Sequence, residues 1–113
     1  MKDKTMIKVA IDFSEFPAGR VYKDGPYSGE KFREEFLVKS LEAYNNVQID
    51  LDGTYGYGSS FLEEAFGGLI RLKKWTLEEL KNRLSFISNE DLFLIPEIKS
   101  YMEAAFQELQ ING

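Results

Sequence analysis

Apolar residues change period several times along the chain, and each change marks an element. Ile7, Val9 and Ile11 alternate with polar neighbours, which predicts a first strand over residues 6–12. Phe32, Phe36, Leu37, Leu41 and Tyr44 then recur at helical spacing. They predict a helix that opens at Gly29 or Glu30, takes Ser28 as its cap and runs to Tyr44. Asn45 and Asn46 turn the chain, and Val47, Ile49 and Leu51 restore alternation in a central strand. Two strands around one helix are expected to be parallel, joined by a right-handed crossover. Gly53, Gly56 and Gly58 form a turn, after which Phe61, Leu62, Ala65, Phe66, Leu69 and Ile70 predict a second helix from Ser60 to about residue 73. Ser60 with Glu63 three positions later reads as a capping box.

Gly67-Gly68 inside that helix costs roughly 1 kcal/mol of helix propensity per glycine, so close packing on a strand, contact with a partner or a helix break is expected there. Arg71, Lys73 and Lys74 read as a solvated, dipole-favoured end. Thr76 with Glu79 is a second capping box, opening a short helix to about Arg83. Residues 84–88 predict a short strand, and Ile98, Tyr101, Met102, Ala105, Phe106 and Leu109 mark a last helix from Pro96 to about residue 110. Leu92 to Ile95 is left as either a helical preface or an extended link. Residues 13–28, with Pro17, Pro26, Gly19 and Gly25, predict a long shaped loop, with a short strand at Arg20-Val21-Tyr22 as one version.

The change from strand to helix across Gly58-Ser59-Ser60 is the chemically suggestive point, because free amides of a helix first turn stand beside two hydroxyls. Asp50, Asp52, Glu63 and Glu64 form an expected acidic group around it. Their ordinary duties as caps, turn formers and dipole partners outweigh a catalytic reading. Tyr55 and Tyr57 flank the turn glycines, either as contact residues or as cover for the core.

Composition removes several chemistries. With no cysteine and no histidine there is no disulfide, thiolate or imidazole metal site, cysteine nucleophile or usual serine triad. Carboxylates, hydroxyls, lysines and arginines remain for any chemistry; given their ordinary structural duties, no metal site, cofactor or catalytic role is expected. A net charge of −5 disfavours nucleic acid. No run approaches the roughly 20 apolar residues of a membrane span, and the opening Met1-Lys2-Asp3-Lys4-Thr5 lacks a signal-like apolar run, so the expected compartment is the cytoplasm. At 113 residues, 43% of them hydrophobic, one domain over residues 1–113 is expected.

The register of the central stretch resembles the STAS domain, the family of the anti-anti-sigma factors. Its signature of Asp-Leu-Ser, five variable positions and Asp-Ser-Ser is similar to Asp50-Leu51-Asp52 followed at the same distance by Gly58-Ser59-Ser60. Gly58 and Asp52 depart from that signature, and Ser59 falls where the family's phosphorylated serine would sit. A second set, Gly19-Arg20, Asp24-Gly25-Pro26, Ser28-Gly29-Glu30, Phe32-Arg33-Glu34 and the run from Ser60 to Gly68, resembles the STAS-like subgroup of unassigned function over roughly residues 6–72. The resemblance implies an α/β fold with a mixed central β-sheet and helices mainly on one face. It also directs attention to Arg20, Asp24, Ser28, Arg33, Tyr57, Ser59, Ser60, Phe61, Glu63 and Glu64 as binding or regulatory residues.

Three functions follow as expectations. The first is a noncatalytic regulatory protein-interaction module with a GHKL-type ATP-binding, kinase-like partner, as STAS implies. Phosphate on Ser59 would add about two negative charges and repel an acidic or apolar contact. The second is a small anion or nucleotide site using Arg20, Arg33 and the first-turn amides. The third is a self-assembling protein, a homo-oligomer joined through Phe61, Phe66 and Gly67-Gly68.

Overall fold

The computed structural model describes residues 1–112. Strands β1 (Lys2–Lys8), β2 (Tyr44–Asp50) and β3 (Leu84–Ile87) form one sheet in the order β1-β2-β3. Both pairs are parallel, with Ile7 opposite Ile49 and Ile49 opposite Phe86. Helix α1 covers residues 29–43, α2 covers 59–71, α3 is Leu77–Arg83 and α4 is Leu94–Asn112. Two crossovers, both stepping from β1 toward β3, carry α1 and α2 and lay them on one face of the sheet. On that face Ile7, Val47, Ile49 and Leu84 are buried. The other face shows Lys4, Met6, Lys8, Asn46 and Ser85 to solvent. Helix α4 packs on α2 and α3 and buries Leu94, Ile98, Met102 and Ala105.

The α/β class and the one-sided helical layer match expectation, but the sheet is parallel throughout instead of mixed. An antiparallel member would have come from Arg20 to Tyr22. That segment instead tightens into a 3-10 turn at Tyr22–Asp24, because the Asp24 carboxylate accepts the N–H groups of Arg20 (3.0 Å) and Val21 (2.9 Å).

The first strand also differs from the predicted residues 6–12. It begins at Lys2, where polar residues pair with Tyr44 to Val47, and ends at Lys8. Val9–Phe13 then closes a wide π-type turn, with Ser14 N–H donating to Val9 O. This leaves Ile11 78% exposed and swings Phe13 inward, where its ring meets Phe32 at 5.1 Å and Phe36 at 5.3 Å. Burying that ring in an aromatic cluster outweighs continuing the alternation.

Helix α1 starts where predicted, with Ser28 Oγ accepting from Lys31 N–H, and α3 carries the predicted Thr76–Glu79 capping box. Lys73, with φ of 60°, ends the second helical stretch in a left-handed turn. Helix α4 opens two residues before Pro96, whose missing N–H is tolerated in a first turn. Among the described residues, no helix is long and apolar enough to cross a membrane.

Candidate functional site

Gly58 is the extended N-cap of α2, and Ser59 and Ser60 are exposed in its first turn. The next two residues, Phe61 and Leu62, are fully buried and anchor the corner. The predicted capping box is absent. Ser60 already lies within the helix, and neither serine hydroxyl enters a side-chain hydrogen bond among the described residues. Glu63 is drawn instead to two arginines.

These arginines come from separate elements. The loop before α1 is shaped by Asp24, by Gly29 N–H donating to Gly19 O and by Glu30 N–H donating to Arg20 O. So held, Arg20 extends its guanidinium to Glu63 at 2.6 Å and Glu64 at 3.4 Å. Arg71, one side of α2 further along, meets the same Glu63 at 2.7 Å. Arg33 on α1 reaches across to Glu64 at 2.6 Å, donates to the Glu64 backbone carbonyl at 2.7 Å and pairs with its neighbour Glu34 at 2.9 Å. Both helices widen into a π turn along these stretches, Arg33–Leu37 in α1 and Glu63–Gly67 in α2.

The electrostatics follow the geometry. Hydrogen bonds from Arg71 first and Arg20 second hold the Glu63 carboxyl below its ordinary range, despite partial burial. Glu63 in turn raises Arg20 and Arg71. Arg33 is 7% exposed, a buried and multiply hydrogen-bonded guanidinium. Three arginines face three glutamates, which leaves no uncompensated cation for a ligand phosphate and weakens the small-anion expectation.

Asp50 and Asp52 do not join this cluster. Asp52 accepts the backbone N–H groups of Asn89 (2.9 Å) and Glu90 (3.0 Å) and ties the loop after β2 to the loop after β3. The Glu90 N–H first, then burial opposing it, then Asn89, set its carboxyl below the usual range. Asp24 is lowered by its bonds to Val21 and Arg20. The single acidic group expected around the serines is thus two separate devices, because arginines from α1, the loop and α2 claim Glu63 and Glu64. Among the described residues, no acidic cluster has a metal-holding arrangement.

The structure therefore brings Arg20, Arg33, Glu63 and Glu64 together beside Ser59 and Ser60, while Asp24 and Ser28 support the loop and α1 from behind. Phe61 is core. Tyr57 folds back, its hydroxyl donating to Leu51 O at 2.9 Å, and burial pushes that phenol up. Tyr55 is the exposed tyrosine of the pair, stacked on Phe16 at 4.7 Å. Arg71, expected as a solvated end, is a full member of the network; it lies eight residues from Glu63, beyond the three- and four-residue spacings at which helix side chains are neighbours, so the sequence carried no signal for the pair. Phe61, Phe66, Gly67 and Gly68 are all buried within the chain, so they offer no self-assembly surface.

A family model described as a STAS-like domain of unknown function (DUF4325) matches residues 28–92. It spans α1 to the loop after β3, including Ser28, Arg33 and the serine corner, and leaves Arg20 and Asp24 outside. No curated protein and no solved structure matches the chain.

Proposed function

We propose that this chain, which belongs to the STAS-like domain family of unknown function, is a noncatalytic regulatory protein-interaction module. Its docking is governed by phosphorylation of Ser59, and its partner is a GHKL-type ATP-binding, kinase-like protein. The observation that carries this reading is the exposed first turn of α2. Ser59 stands there with a free hydroxyl, next to N–H groups that the helix leaves unpaired. The kind of partner rests on likeness to STAS domains, an analogy at family level. An ATP-using partner places this activity in the cytoplasm.

A noncatalytic role is supported by the engagement of the nearby carboxylates. Glu63 and Glu64 are held by arginines and Asp52 by backbone amides, so none stands as a free base over the serines. Phosphate on Ser59 would bring about two negative charges to the positive end of α2 and change what can dock there. The test is to incubate the chain with ATP and the kinase-like protein, locate phosphate by mass spectrometry, and titrate Ser59→Ala and Ser59→Asp against that protein. Phosphate on Ser59 and affinities differing by roughly tenfold are expected, about 1.4 kcal/mol. Equal affinities of the two variants would sink the reading.

A further inference from the structure

We infer that the aromatic rim at the carboxyl end of the sheet is a docking surface for a polypeptide segment carrying arginine or lysine beside apolar side chains. This deepens the interaction reading above and rests on it. Ile11 is 78% exposed, Phe16 61%, Tyr55 78%, Leu92 74% and Phe93 81%. Ile11 and Phe16 follow β1, Tyr55 follows β2, and Leu92 and Phe93 follow β3, so all five occur where the parallel strands end. The loops that carry them are tied together. Phe16 and Tyr55 stack with ring planes 6° apart, Tyr55 N–H donates to Glu15 O, and Gly53 N–H donates to the Glu90 carboxylate at 2.7 Å. Large aromatic side chains fixed in solvent by such ties are what interface anchors look like before a partner arrives.

The charges among these anchors select the occupant. Asp12, Glu15, Asp52, Glu90 and Asp91 share the same loops, and Tyr55 lines one cleft with Asp52, Glu90 and Asp91. Lys8 is the cation lining the neighbouring cleft, beside Glu15, Asp50 and Asp52. Nucleic acid and anionic lipid both present phosphates, which this rim repels. A guanidinium or ammonium gains twice, from the carboxylates and from the faces of Tyr55 and Phe16. Apolar neighbours on the same segment would cover Ile11, Leu92 and Phe93. A phosphate on Ser59 adds charge of the rim's own sign, so it tightens this contact instead of releasing it.

The test titrates the full chain with three labelled synthetic peptides of equal length, followed by fluorescence anisotropy: leucine with arginine, leucine with glutamate, and serine with arginine. Only the leucine–arginine peptide is expected to bind saturably. Phe16→Ser with Tyr55→Ser should weaken it by roughly tenfold or more, the loss of a hot-spot contact. Both residues are exposed, and unchanged circular dichroism would confirm that the fold survives. Glu15→Gln should also weaken binding, whereas Glu42→Gln, at the opposite end of the sheet, should leave it unchanged. Equal binding of the glutamate peptide or undiminished binding by the aromatic double variant would overturn the inference. So would a homodimer that the same double variant dissolves, since a second copy would then be the occupant. Every measurement uses unphosphorylated chain, so failure here leaves the Ser59 reading standing, and failure of the Ser59 variants leaves the rim standing.

Discussion

Arg33 occupies the space that a side chain at Gly68 would need. A Cβ built on Gly68 would collide with the Arg33 Nη1 and lie 3.0 Å from its Cζ. Gly68 in α2 is therefore explained by an arginine crossing from α1, while Gly67 faces the ends of Glu63 and Arg71 in its own helix. Gly29 on α1 does the same in reverse, since a Cβ there would lie 2.5 Å from Phe61 O. One glycine on each helix lets the two approach closely enough for Arg33 to reach Glu64.

Gly68→Ala is expected to destabilise the chain by about 1–3 kcal/mol. Helix propensity gains roughly 1 kcal/mol, but Arg33 is fixed by Glu34 and Glu64, so the added methyl displaces a buried guanidinium. Gly67→Ala meets the tips of Glu63 and Arg71, which are flexible side-chain ends, and should change stability by less than about 1 kcal/mol. Urea unfolding of the two variants checks this contrast.

Removing one partner of the buried pair should cost more than removing both. Arg33→Met leaves the Glu64 carboxylate 17% exposed with only the 3.4 Å contact to Arg20, an expected loss of about 3 kcal/mol. The double variant Arg33→Met with Glu64→Gln should recover at least about 1 kcal/mol of that loss. Additive losses in the thermodynamic cycle would show that the pair is not coupled.

Acid should loosen the arginine network in a defined direction. The folded carboxyl of Glu63 titrates below its unfolded value of about 4.3. Between those two values the unfolded chain binds more protons, so stability rises with pH in that window. The contribution is fully present above about pH 5 and is lost as pH falls through the depressed folded value. Asp24 and Asp52 are lowered too and add to the same acid limb. Glu63→Gln should lower stability at neutral pH and flatten the acid limb, as read from thermal midpoints across the pH range.

The caps of the two long sheet-covering helices should respond unequally. Ser28 is fully buried and its hydroxyl accepts Lys31 N–H, so Ser28→Ala is expected to cost about 1–2 kcal/mol. Ser60→Ala, in a first turn capped by Gly58, should stay within about 0.5 kcal/mol. Equal losses in denaturant titrations would return Ser60 to the capping role that its spacing to Glu63 suggested.

Elements whose cause is local were legible in the chain itself. Alternation at Val47, Ile49 and Leu51 fixed the core face of β2. Ser28 marked the start of α1, Thr76 with Glu79 marked α3, and the stripe from Ile98 to Leu109 marked α4. Each of these follows from the periods of strand and helix or from a hydrogen bond spanning three residues. Arg20, Arg33 and the serine corner were singled out through resemblance in motif, and the folded chain sets both arginines against the carboxylates of α2. What required the tertiary structure was every decision made between partners far apart in sequence. Glu63 had a cap three residues away, an arginine eight residues on in the same helix and another 43 residues back, and the arginines won through charge-assisted bonds, the distant one delivered only by the folded loop. Alternation through Ile11 gave way because Phe13 found an aromatic cluster drawn from α1 and α2. Tyr55 and Tyr57 carry the same side chain two residues apart, yet one stacks in solvent on Phe16 and the other closes onto Leu51. A local pattern fixes which face a residue prefers; only the folded chain fixes what stands opposite it.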